Sequence, residues 1–187
     1  AGGRAGECGA RVVLVEKNER LGVKLLSTGG ERCNVTNDSS VREMINRIGE
    51  NGKFLFSAFN KFGPQDIIDF LEERGLKIKT ENNNRVFPFS NNSKDVLDAL
   101  VQYLEKSQVQ IKTNSEVKKI VVDNKKIEKI VLTNNEEIIA DNFILCTGGK
   151  SYPLTGSTGD GYLWLTTLGH TVTKLSPALT AVMVKEK

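Results

Sequence analysis

The chain has 187 residues, 39% of them hydrophobic, with 26 Lys plus Arg against 23 Asp plus Glu and a net charge of +3. That length holds one ordinary domain, or most of one with a subdomain, and the interspersed charges supply no basic stripe of the kind that binds nucleic acid. Cys8, Cys33 and Cys146 stand far apart, so neither a disulfide framework nor a zinc site is encoded, and no apolar run approaches the ~20 residues that cross a bilayer.

Residues 1–9 read as the tail of a helix. The stretch AGGRAG looks like a degenerate dinucleotide fingerprint, yet only nine residues separate Gly6 from Glu16, too few for a helix and a strand. Next comes RVVLVE, 11–16, a β-branched apolar run closing on a carboxylate. Such a run predicts a strand buried on both faces, as in a parallel sheet covered by helices. Glu16 at its end has two readings: an acceptor for the ribose hydroxyls of a dinucleotide, or a solvated carboxylate ending a strand. On the first reading the glycine fingerprint belongs about 20 residues earlier, before Ala1.

Residues 21–37 show no sustained period and predict a loop with a short helical start. It contains Thr28, Gly29, Gly30, Arg32, Asn34 and Thr36. Paired glycines leave amides free, and with a guanidinium they make a cradle for a pyrophosphate; an ordinary surface loop has the same composition. Pro64 opens a helix with Ile67, Ile68 and Leu71 on one face and Gly75 as its stop. Ser93 is expected to cap a second helix whose apolar positions are Val96, Leu97, Leu100, Val101 and Leu104. Asparagine turns bracket RVFPF, 85–89, between them.

Three short strands are expected at 117–122, 127–132 and 136–139. Their hairpin-sized connections predict an antiparallel meander. FILC, 143–146, predicts one more buried strand running into Thr147, Gly148 and Gly149, and GSTGDG, 156–161, leads into a helical run. Strand ends of this kind bind ligands in open α/β sheets, although glycines also simply punctuate elements. Cys33 is a candidate nucleophile that would need an adjacent base, and His170, directly after Gly169, reads as a helix-terminal residue.

Three stretches carry a family resemblance: ARVVLVEKNERLGVKLLSTGGERCNVTN (10–37), RVFPFS (85–90) and FILCTGGKSYPLTGSTGDGYLWLTTLGHTV (143–172). With them the chain resembles the BaiN/YhiN-type family of bacterial NAD(P)/FAD-dependent oxidoreductases. The resemblance implies an α/β fold: a parallel-sheet, Rossmann-like FAD-binding domain with a three-stranded antiparallel β meander and an inserted, mostly helical lobe. On this basis 1–40 is the first part of the FAD domain, 41–108 the lobe, 109–175 the second part with the meander, and 176–187 the start of a substrate domain.

It further implies that Glu16 holds the adenosine ribose and that Val117 meets the adenine through its backbone. Lys17, Lys24, Thr28, Gly29, Gly30, Arg32, Cys33, Asn34 and Thr36 would lie along the FAD, with Thr147, Gly148, Gly149, Gly159, Asp160 and Gly161 at the strand-end side. NAD(P)H is the implied electron donor and a small organic or steroid-like molecule the acceptor; no catalytic acid or base is singled out. Glu31 stands where the family usually has a third glycine, and Val23 where it has an arginine. A plain NAD-binding dehydrogenase and a cofactor-binding module without turnover are the rival readings. The expected setting is cytoplasmic, with no metal, nucleic-acid or membrane partner.

Overall fold

A computed structural model describes residues 1–124 and 126–176. They divide into two units, one formed by Ala1–Val15 with Arg20–Lys112, the other by Glu16–Glu19 with Thr113 onward.

In the first unit, α1 (Gly2–Glu7) is the short helix expected before the first strand. It lies close to a later helix because Gly3 and Gly6 lack side chains: an added Cβ would stand 2.2 Å from the Tyr103 ring and 2.2 Å from the Ser107 carbonyl oxygen. The apolar run forms β1 (Val13–Val15). Then follow α2 (Val23–Ser27), β2 (Thr36–Asn37) and α3 (Val41–Ile48). Ser40 and Glu43 close a reciprocal capping box on α3, satisfying two amide donors that the helix start would otherwise leave open.

After a 3-10 turn at Glu50–Leu55 come α4 (Phe56–Lys61) and α5 (Pro64–Glu72). Pro64 takes the first helical position, and Gly75, at φ +83°, ends the segment. Ile68 and Leu71 are buried whereas Ile67 is only half-buried. Burying Leu71 alone stabilises the unit by about 1.5–3 kcal/mol.

The stretch expected to be mostly helical also holds strands. β3 (Ile78–Glu81) and β4 (Arg85–Pro88) form a hairpin, and β2 adds to the far edge of β4, giving an antiparallel sheet in the order β2-β4-β3. Arg85 to Pro88 therefore form a central strand, with Val86 and Phe87 0% and 3% exposed. Of its two partners, β2 is only two residues long and far away in sequence, so local spacing does not announce the central place of β4.

The helix α6 (Ser93–Lys106) is capped by Asn92, whose side chain accepts from the Lys94 amide, and not by Ser93 as expected. Ser93 is buried at the first helical position, where its amide donates to the Glu31 carbonyl and its hydroxyl to the Leu26 carbonyl. The Ser93 hydroxyl serves as a donor to a tertiary acceptor, and the local amide at Lys94 is capped by Asn92. Of the expected apolar face Val96 is fully buried, joined by Ala99, while Leu97, Leu100, Val101 and Leu104 are half-buried. The unit closes with β5 (Gln110–Lys112), which pairs in parallel with β1, Val13 opposite Gln110 and Val15 opposite Lys112.

In the second unit, β6 (Val117–Asp123), β7 (Lys126–Leu132) and β8 (Glu137–Ile139) form the expected antiparallel meander, in sequential order. Asn124 and Asn135 take left-handed backbone conformations at its turns, which asparagine tolerates better than most residues. Ile130, Val131 and Leu132 are its buried residues. The helix α7 (Asp160–Thr167) follows the glycine-rich segment, as expected. The strand expected at 143–146 is absent: the segment has no ladder partner among the described residues, and Ile144 is 65% exposed. An apolar sequence makes a strand only when a neighbour takes up its backbone hydrogen bonds. The further domain expected to start near 176 lies, from 177 on, outside the described residues. No described helix is long and apolar enough to cross a membrane.

Candidate functional site

The second unit gathers the corner after β1 onto the glycine-rich segment before α7. Glu16 is half-buried, and its Oε1 accepts from both the main-chain and the side-chain amide of Asn18, each at 2.8 Å. A carboxylate has about four acceptor positions, so these two bonds orient Glu16 and leave it able to accept from a ligand hydroxyl. The Asn18 side chain also donates to the Thr155 carbonyl at 3.4 Å. Lys17 donates from Nζ to Asp160 Oδ2 at 2.8 Å and to Thr158 Oγ1 at 2.5 Å. The Lys17 ammonium, followed by the Thr158 hydroxyl, holds the Asp160 carboxyl below its ordinary range.

Gly159 takes the N-cap of α7, with Asp160 and Gly161 as the next two residues. Gly161 is buried at a close approach: a Cβ there would fall 2.2 Å from Thr147 Oγ1. Gly148 and Gly149 lie alongside the same segment, where an added Cβ would stand 3.4 Å from Ser157 Oγ and 3.5 Å from the Tyr162 hydroxyl. Val117 opens β6 opposite Leu132. Thus Glu16, Lys17, Thr147, Gly148, Gly149, Gly159, Asp160 and Gly161 share one neighbourhood, and Asn18 and Thr158, absent from the sequence reading, tie it together. A polar side chain beside a strand-end carboxylate is too common a pattern to have marked Asn18 out.

The first unit gathers the other candidates in the loop after α2. Lys24 lies in the last turn of that helix. Thr28 Oγ1 donates to the Leu25 carbonyl, and the Cys33 amide donates to the Thr28 carbonyl. Between them Gly29, Gly30 and Glu31 all take positive φ, at 59°, 65° and 66°, as does Cys33 at 59°. Gly29 meets a second demand, since a Cβ would stand 2.9 Å from the Asn34 amide nitrogen. Glu31 is exposed, which takes its charge toward water.

Arg32 is engaged through Nε and Nη2. Its Nε donates to Asn91 Oδ1 and its Nη2 to Glu81 Oε1 and Asn91 Oδ1, while the guanidinium lies 4.1 Å above the centre of the Phe87 ring. Arg32, then Lys79, holds the Glu81 carboxyl below its ordinary range. With its side-chain amide turned so that the nitrogen faces them, Asn34 donates from Nδ2 to the Val86 and Thr36 carbonyls, and Thr36 pairs with Val86 in the sheet. Glu81 and Asn91 lie 49 and 59 positions from Arg32, so no local spacing could have announced them.

Cys33 is 5% exposed, and burial raises its thiol pKa while a hydrogen bond with Thr28 pulls the other way. A nucleophile needs the opposite setting. His170 is the helix-terminal residue expected, its amide donating to the Leu165 carbonyl. A groove of about 420 Å³ on α5 and α6, lined by Arg74, Lys77, Phe89, Asp95 and Asp98 among others, contains none of the candidate residues.

The family model of the HI0933-like protein Rossmann domain matches residues 1–185. The 3-dehydro-bile acid delta(4,6)-reductase of Clostridium scindens is 30% identical over 177 residues, 95% of this chain and 42% of that protein. The ribosomal RNA dihydrouridine synthase of Escherichia coli is 29% identical over 158 residues, 84% of this chain and 38% of that protein. The chain therefore spans about two-fifths of the length of these relatives. Among solved structures, the open conformation of a flavocytochrome c3 fumarate reductase superposes with a TM-score of 0.62 at 20% identity, covering 89% of this chain and 38% of the other, a likeness of fold. With its parallel β1-β5 pair, its meander and a family model that covers nearly its whole length, the chain belongs to the HI0933-like, BaiN/YhiN-type family of Rossmann-domain proteins.

Proposed function

We propose that this protein is the FAD-binding portion of a flavin-dependent oxidoreductase that takes electrons from NAD(P)H and reduces a small organic acceptor. The observation that carries the reading is the Lys17 bridge to Thr158 and Asp160. It joins the corner holding the ribose-type carboxylate to a glycine-rich segment at a helix start, as a dinucleotide site requires.

The donor set fits FAD. Glu16 keeps acceptor capacity for ribose hydroxyls, and among the described residues the amides of Gly29, Gly30, Glu31 and Arg32 donate to no other group. Gly30 has nothing within 4 Å of where a Cβ would stand, so its backbone is open to close approach. Within the second unit Lys17, Thr147, Gly148, Gly149, Gly159, Asp160 and Gly161 would border the cofactor; within the first, the 28–36 loop offers open backbone amides of the kind that hold a phosphate. Bound FAD would supply hydride transfer from nicotinamide to acceptor; the protein orients it and keeps water out.

The meander favours this reading over a plain NAD-binding dehydrogenase, whose single Rossmann domain needs none. Both relatives' names describe hydrogen added to an unsaturated molecule, a delta(4,6)-reductase and a dihydrouridine synthase. An acceptor with a reducible ring carbon–carbon double bond is the substrate class we infer.

The test is an absorption spectrum of the purified protein after FAD addition and removal of unbound cofactor, followed by anaerobic NADH or NADPH. Retained flavin bands that bleach on addition of one nicotinamide are expected. Bands that never bleach point to a binding module without turnover, and absence of bands overturns the reading.

A further inference from the structure

The Nε and Nη2 donors of Arg32 are spent inside the protein. Nε and Nη2 both reach Asn91 Oδ1, at 2.9 and 2.6 Å, and Nη2 also reaches Glu81 Oε1 at 2.5 Å. Its flat face covers the buried Phe87 ring. Such a planar, bidentate and stacked seat is specific to arginine. Ser93 pins the same loop at one other point, its amide holding the Glu31 carbonyl, and pins the helix that leads into it, its hydroxyl holding the Leu26 carbonyl. Meanwhile the four successive amides from Gly29 to Arg32 have no partner among the described residues, in a backbone run whose first three φ values are positive. A segment this short held in that conformation collapses unless its surroundings hold it.

We propose that Glu81 and Asn91 are positioning residues: by seating Arg32 on Phe87 they fix the 28–34 loop so that its amides are presented to the cofactor, and Arg32 is a fastener and not the partner of the cofactor's phosphates. This rests on the flavoprotein reading above. The alternative role for Arg32, direct pairing with a phosphate, predicts the opposite sign for one variant. If Arg32 is a phosphate partner, Glu81 competes for it, and Glu81→Ala tightens FAD binding. If it is a fastener, Glu81→Ala weakens binding by about tenfold, the loss of a charge-assisted hydrogen bond.

FAD affinity is measured by fluorescence titration on the wild type, Glu81→Ala, Glu81→Gln, Asn91→Ala, Arg32→Ala and the Arg32→Ala/Glu81→Ala pair. All are held well below their thermal midpoints. Glu81→Ala, Asn91→Ala and Arg32→Ala should each weaken binding. The double variant should be no worse than Arg32→Ala, because the two residues act through one contact. Glu81→Gln, which keeps an acceptor oxygen, should recover part of the loss. In cofactor-free protein, Cys33 should react with a thiol reagent several-fold faster in Glu81→Ala than in the wild type, because the loop covering it loosens.

Tighter or unchanged binding in Glu81→Ala, or additive losses in the double variant, overturns the proposal. So does Cys33 labelling at the wild-type rate in Glu81→Ala. A wild type that binds no FAD sinks the flavoprotein reading and the cofactor half of the proposal, and leaves Cys33 labelling to decide the fastening half.

Discussion

Lys17 donates a hydrogen bond to Asp160 across 143 positions of sequence, at 2.8 Å, and the same ammonium also meets Thr158. The pair is partly exposed, at 23% and 38% of the two side chains, so its contribution is modest and screened by salt. Its direction with pH is nonetheless defined. The Asp160 carboxyl sits below its ordinary range in the folded protein. The stabilisation is therefore present above the ordinary aspartate range and is lost as pH falls through the depressed folded-state value. Thermal melts of the wild type and Lys17→Met should differ near neutrality, with the variant less stable, and should converge on acidification.

Glu31 occupies a left-handed conformation, φ +66°, with an exposed side chain. A non-glycine residue there costs about 1–2 kcal/mol, whereas glycine loses about 0.4–1 kcal/mol through the greater freedom of its unfolded chain. Glu31→Gly should gain roughly 0.5–1 kcal/mol net. A higher urea midpoint at unchanged slope would show it.

Gly161 leaves no room for a methyl group, since its Cβ would stand 2.2 Å from Thr147 Oγ1. Gly161→Ala should destabilise by about 1–3 kcal/mol by overpacking and push the 147–149 segment out of place. Thr147→Ala removes the obstructing hydroxyl, so the Gly161→Ala/Thr147→Ala double variant should recover most of that loss in chemical unfolding. Additive losses would show that the contact is not the cause.

Cys33 is buried, and burial raises its thiol pKa, whereas Cys8 and Cys146 are exposed. Alkylation of the native protein near neutral pH should therefore mark Cys8 and Cys146 first. Cys33 should follow only with unfolding or loop opening, a sequence that peptide mapping over a time course resolves.

The local elements could be read from the chain because their causes are local. β-branched alternation and asparagine turns define β6, β7 and β8 within a residue or two of the expected limits. Proline and glycine bound the α5 segment. The segment at 143–146 failed for the complementary reason: apolar content is a property of the residue, but a strand is a property of a pair.

The sequence by itself determined which residue types stand at the candidate site: the carboxylate at 16, the paired glycines at 29 and 30, and the glycine-rich segment before α7. What those residues touch was decided only by the tertiary structure. Arg32, legible as a free cation beside two glycines, is committed to Glu81 and Asn91, and Ser93 gives its hydroxyl to Leu26 instead of capping its own helix. Hydrogen-bond donors are satisfied by whatever acceptor the folded chain brings within about 3 Å, and for long side chains that partner is set by chain folding over dozens of residues and not by spacing along it.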